Sequence, residues 1–240
     1  MTLTTHRRSL LRAAVGGTAA MAALATASSA SAALRSRTAV PGTPERPTTP
    51  AAALRTLAAG NERWLTLHET HPDEDQQVRT SLLSSQHPFA LILGCIDSRV
   101  PPELVYDQGL GDLMTVRSAG EVLDEAVLGS VAYGVLELDI PLVVVLGHAS
   151  CGAVTAAVEA DETGEPLPAH ISYVARRIRP AIDHRLHGQA RIDAAISANV
   201  RLVRRQLVSE PELAERLRTG KLDIVGSLYE LKTQKVHRVG

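Results

Sequence analysis

Four short apolar runs, at residues 89–94, 113–117, 142–147 and 222–228, limit what this chain can fold into. Runs 89–94 and 142–147 are continuously apolar and the other two, broken only by Thr115 and Arg117 and by Asp223 and Ser227, are similar, a pattern that suits strands buried on both faces. Helical periodicity fills the intervals, at residues 123–138, 152–160, 170–187 and 190–208. Buried strands alternating with helices predict an α/β fold, a central mostly parallel sheet flanked by helices. The tail beyond Tyr229 alternates imperfectly through Leu231, Thr233, Lys235 and Val236, which predicts a short edge strand. At 240 residues and 45% hydrophobic content the chain can bury a sizeable core. With one Phe, one Trp and four Tyr, that core is aliphatic and offers no aromatic platform for bases.

The N-terminal third is organised differently. His6-Arg7-Arg8-Ser9 precedes an Ala-rich, weakly apolar stretch that ends in Ala30-Ser31-Ala32, the layout of a cleavable export signal over residues 1–32. The paired arginines favour the twin-arginine (Tat) route. The apolar stretch is too short and Ala-heavy for a permanent membrane span, so the expected location is periplasmic or extracellular. Residues 33–50 hold Pro41, Pro44, Pro47 and Pro50 and read as a linker, leaving 51–240 as the catalytic domain. In that domain Leu54, Leu57, Ala58, Trp64 and Leu65 recur at helical spacing, with Gly60-Asn61 as an interruption, and a second helix is expected over 74–85. The whole chain carries a formal charge of −1, and removing Arg7, Arg8 and Arg12 with the signal leaves about −4. Nucleic acid is therefore not an expected partner, and Arg176-Arg177-Arg179 and Arg201-Arg204-Arg205 read as solvated helix faces.

The only two cysteines lie just beyond two of the apolar runs, in Cys95-Ile96-Asp97-Ser98-Arg99 and His148-Ala149-Ser150-Cys151. Two thiolates and an imidazole converging at one sheet edge have the softness and geometry that zinc takes. His148 would leave a strand end while Cys151 enters the next helix, whose N-terminus favours a thiolate. Asp97 either completes the set as a fourth ligand, closing the site, or leaves that position to water; a bidentate pair with Arg99 would hold it off the metal. The residues alone also allow a Cys95–Cys151 disulfide, two inert buried thiols, or a purely structural metal.

Cys95-x-Asp97-x-Arg99 followed by His148-x-x-Cys151-Gly152 resembles the zinc motif of beta-class carbonic anhydrases, and the resemblance runs from about Ala51 to His237. It implies one zinc per chain on Cys95, His148 and Cys151, with Asp97 and Arg99 as a catalytic dyad. It implies carbon dioxide and bicarbonate as substrate and product, and a homodimer or dimer-based oligomer whose N-terminal helices pack on the partner. By spacing, Gln86, Tyr133 and Gly152 match pocket residues of plant-like members, and Val100 and Ala119 complete an apolar pocket. Met114 stands where those members have a pocket phenylalanine, and Ile92 where a bicarbonate-regulated bacterial subgroup has a tryptophan. Enzymes acting on carbonyl sulfide or carbon disulfide share this zinc fold. A zinc-stabilised interaction protein without catalysis is the alternative of a different class.

Overall fold

The computed structural model describes residues 46–240; the expected export signal and most of the expected linker lie outside the described residues. In chain order the elements are helix α1 (Pro50–Thr66), α2 (Gln76–Ser81), strand β1 (Ala90–Gly94), α3 (Pro102–Val105), β2 (Leu113–Arg117), α4 (Glu125–Leu136), β3 (Leu142–His148), α5 (Gly152–Thr163), α6 (Ile171–Ile178), α7 (Gly188–Val208), α8 (Ala214–Arg218), β4 (Asp223–Tyr229) and β5 (Val236–Val239). The sheet order is β2-β1-β3-β4-β5, parallel except for β5, which pairs antiparallel with β4 at the edge.

The continuous apolar runs divide between two cores, as residues on opposite faces of a pleated strand must. Leu91 and Leu93 of β1, Val143 and Val145 of β3, and Ile224 and Leu228 of β4 face one core with Val131, Val154, Ile196 and Val200. Ala90, Ile92, Leu142, Val144, Leu146 and Val225 face the other, covered by Ala53 and Leu57 of α1 with Phe89 and Tyr106. Ile92, at the position of the tryptophan in the bicarbonate-regulated subgroup, is fully buried within the sheet.

Several boundaries differ from the sequence expectations, each for a local reason. The expected linker 33–50 ends sooner: Thr49 caps α1 by accepting from the Ala52 amide, Pro50 supplies its first turn, and Arg46 already pairs with Asp112 at 3.3 Å. Gly60-Asn61 does not interrupt α1. A Cβ on Gly60 would lie 1.7 Å from the Tyr106 carbonyl oxygen, so the glycine permits close approach of the two segments. Asn61 donates to the Val105 carbonyl at 3.1 Å and accepts from the Val236 amide at 2.9 Å, tying α1 to β5. The second helix is only Gln76–Ser81, its start fixed by Asp75, which accepts from the Val78 amide. The helix expected over 170–187 stops at Ile178 and passes into a 3-10 turn at Arg179–Ala181, because Pro180 lacks an amide hydrogen and disfavours helical geometry before it. Of the alternating tail only Val236–Val239 is strand; Leu231 and Thr233 lie in the turn before it.

The arginine groups expected as solvated faces are partly structural. Arg177 donates to the Leu123 carbonyl at 2.9 Å, Arg204 to the Ile224 carbonyl at 2.7 Å, and Arg179 pairs with Asp161 at 3.1 Å. Among the described residues no helix is long and apolar enough to cross a membrane.

Candidate metal centre

From β1 the chain crosses to β2 on one side and later to β3 on the other, so strand order reverses at β1. Sites in open α/β sheets form beyond the carboxyl ends of the strands at such a reversal. Cys95 is the first residue after β1 and His148 the last of β3, and Cys151 is the N-cap of α5. All three are buried, and their ligand atoms lie within 4.8 Å of one another. The two sulfurs are 3.9 Å apart and unbonded.

The local chemistry of this cluster suits a cation. His148 is fully buried; its Nδ1 lies 2.9 Å from the Ala149 carbonyl, which fixes that nitrogen as the donor. Its Nε2 has no hydrogen-bond partner among the described residues, and such an orphan is costly unless something else uses the lone pair. The Cys151 thiol, donating toward Cys95, lowers the Cys95 pKa to about 4 against the opposing effect of burial; His148 and the Gly120 and Asp97 amides assist. The Cys151 thiol, which supplies that proton, is correspondingly raised. Burial pulls His148 toward neutrality, but the neighbouring Cys95 sulfur outweighs it and raises the imidazole. Two sulfurs and one imidazole nitrogen gathered at one buried point, with the thiolate already favoured at Cys95, fit zinc by donor type.

Asp97 stands beside this cluster rather than in it. Its Oδ2 lies 3.9 Å from His148 Nε2 but 2.7 Å from an Arg99 amino group, while its Oδ1 accepts from Arg99 Nε and from the Arg99 amide, both at 2.9 Å. The bidentate guanidinium therefore holds the carboxyl well below the ordinary carboxylate range. Arg99 also reaches the Ser150 carbonyl at 3.4 Å, linking the two halves of the motif.

The expected pocket residues are less tightly gathered. Val100 is buried beneath the loop, Ala119 adjoins the Gly120 turn against Cys95, and Gly152 opens α5. Met114 sits on edge strand β2, near enough to α4 that a Cβ on Gly134 would meet its sulfur at 2.8 Å. Tyr133, on α4, is 51% exposed, and Gln86 is exposed in the loop before β1. Within one described chain, Gln86 makes no hydrogen bond to the cluster.

Sequence reasoning missed the residues that hold the ligand loop. Arg117, ending β2, donates to the Cys95 carbonyl at 2.7 Å and the Asp97 carbonyl at 2.6 Å. Behind Cys95, Glu121 is 2% exposed, and burial, with the Cys95 charge adding to it, pushes its carboxyl well above the usual range. An acidic residue set between Ala119-Gly120 and Val122-Leu123 was the available signal.

Residues 90–236 match the protein family described as carbonic anhydrase. Carbonic anhydrase 2 of Mycobacterium tuberculosis is 42% identical over 186 residues, covering 77% of this chain and 90% of the relative. The carbonic anhydrase of Mycolicibacterium smegmatis is 40% identical over 191 residues, covering 79% of this chain and 93% of the relative. Among solved structures, the beta-carbonic anhydrase CcaA superposes with a TM-score of 0.62 at 25% identity, covering 76% of this chain and 93% of that one. With the sheet reversal, the Cys95-His148-Cys151 cluster and these matches in agreement, the chain belongs to the beta-class carbonic anhydrase family.

Proposed function

We propose that this chain hydrates carbon dioxide with one zinc held by Cys95, His148 and Cys151, and that it is an exported, plant-like member acting as a dimer or dimer-based oligomer. Its reaction is the reversible conversion of carbon dioxide and water to bicarbonate and a proton. The observation that carries the reading is the unpartnered His148 Nε2 beside two sulfurs, with Asp97 held next to them by Arg99. Bound at these donors, zinc supplies Lewis acidity that lowers the pKa of water from about 15.7 to about 7, the value known for carbonic anhydrases.

The side chains divide the remaining work. Asp97 accepts a hydrogen bond from the reacting water and orients its lone pair toward the substrate carbon. Arg99 keeps Asp97 ionised and aimed by occupying both carboxylate oxygens. The resemblance assigns Val100, Met114, Ala119 and Tyr133 to an apolar wall suited to a small linear substrate without charge, although within one chain Val100 packs in the core under α1 and Met114 against the opposite core. Gln86, exposed in one chain, donates to a substrate oxygen where α1 and α2 pack on the partner. Gly152 lies directly after the ligand Cys151, where no side chain intrudes. The released proton passes to solvent buffer.

Export rests on the Arg7-Arg8 pair, the apolar stretch and Ala30-Ser31-Ala32. Passage in the folded state would load the metal before two sulfurs 3.9 Å apart met an oxidising compartment. Paired assays of carbon dioxide hydration and carbonyl sulfide hydrolysis, with zinc measured on the same sample, test the reading. Hydration that follows zinc content supports it. Carbonyl sulfide or carbon disulfide turnover without hydration favours a related hydrolase, and neither activity at full zinc favours a zinc-stabilised interaction protein.

A further inference from the structure

Directly behind Cys95, two consecutive residues take left-handed backbone geometry, Gly120 at φ 63° and Glu121 at φ 54°. For a residue with a side chain that conformation costs energy and persists only where its surroundings enforce it. Glu121 is also 2% exposed, and its Oε1 has no hydrogen-bond partner among the described residues. A strained backbone and a buried carboxyl at one position together call for a compensating role.

The enforcement comes from α7. Asn199, 1% exposed, donates through Nδ2 to the Gly120 carbonyl at 2.7 Å and to Glu121 Oε2 at 3.4 Å. It can reach them because α7 lies close to β3, where a Cβ on Gly147 would meet Val200 Cγ2 at 2.4 Å. On the other side of the same turn, the Gly120 amide donates to Cys95 Sγ at 3.4 Å. One side-chain amide thus grips the carbonyl of the residue whose N–H faces a metal-ligating sulfur.

We propose that Glu121 and Asn199 are positioning residues for the metal centre, holding the Gly120–Glu121 turn so that the Gly120 N–H points at Cys95 Sγ. This inference rests on the reading of Cys95, His148 and Cys151 as zinc ligands. Partners that orient a ligand from behind set metal affinity over a range of about 10- to 100-fold.

The test is chelator competition for zinc on the full-length chain, alongside the sulfur-to-metal absorption of the cobalt-substituted protein. Asn199→Ala and Glu121→Ala should each weaken zinc binding by about 10- to 100-fold and shift the cobalt band. Glu121→Gln, which keeps an acceptor for Asn199 and the side-chain length, should restore binding to within about threefold of the parent. If the alanine variants do not fold, Asn199→Asp keeps the shape but removes the donor to Gly120, and the same two measurements decide. Zinc affinity and cobalt spectra unchanged in folded Asn199 and Glu121 variants of a zinc-binding parent overturn this inference alone. A parent that binds no zinc overturns the metal reading and this inference with it.

Discussion

Arg99 spans both oxygens of Asp97 while the nearer of those oxygens stays 3.9 Å from His148 Nε2, so removing the guanidinium releases a carboxylate next to the metal donors. Arg99→Ala is therefore expected to cut hydration by about 10- to 100-fold while zinc occupancy, measured on the same preparation, stays near the parent's. Near-parental activity at neutral pH, with matched zinc and oligomer state, would remove Asp97 and Arg99 from the proposed mechanism. Asp97→Asn should likewise retain most metal but orient water poorly. The cysteines, His148, Asp97 and Arg99 were legible in sequence because their chemistry is rare and their spacing short. Asn199 and Arg117 were not: each is an ordinary polar residue on a regular element, and only packing brings it to Gly120 or to the Cys95 carbonyl.

Helix α1 is attached by contacts that periodicity does not encode. Leu57 and Trp64 were readable as its apolar stripe, whereas Gly60-Asn61 looked like a break and proved to be the docking point. Because a Cβ on Gly60 would collide with backbone, Gly60→Ala is expected to cost about 1–3 kcal/mol of stability, read as a lowered Tm with Cys95, His148 and Cys151 unchanged. A second tie is Asp107, buried beside Arg63. Burial works against its charge, but the Thr70 and His71 amides and the Arg63 guanidinium prevail and hold the carboxyl below the ordinary range. A depressed carboxylate contributes its full stability above the unfolded pKa, about 3.9, and loses it as pH falls through the folded value. Asp107→Asn should thus lower stability by about 2 kcal/mol at pH 7, and the gap to the parent should narrow on acidification below about pH 4. A gap that is constant across that window would show that the charge of Asp107 is not what ties the loop to α1. Strands β1 and β3 were legible because their buried runs are continuous, whereas β2, expected to be buried on both faces, lies at the sheet edge and is only half-buried along its length. The ends of α2, α6 and β5 depend on one cap, one proline and one turn.

For the whole molecule, the sequence made the α/β architecture legible but not the order β2-β1-β3-β4-β5, which depends on which way each crossover turns. The proposed assembly predicts that truncation through residue 86 lowers both association and hydration, because it removes α1, α2 and Gln86. A cut before Arg46 should leave both intact, since Arg46, Thr49 and Pro50 remain to anchor α1. Light scattering beside kinetics checks this, and a fully active monomer would contradict it. Export predicts loss of residues 1 to about 32 in protein recovered from its native host, read by mass; an intact Met1 on the recovered enzyme would count against it. The central claim is that the Cys95-His148-Cys151 cluster, guarded by Asp97 and Arg99, hydrates carbon dioxide. Stopped-flow hydration by the metal-assayed full-length chain tests it most directly. The account predicts a rate far above buffer alone that scales with zinc content, disappears on chelation and returns with added zinc; a zinc-replete, correctly assembled chain that hydrates carbon dioxide no faster than buffer would contradict it.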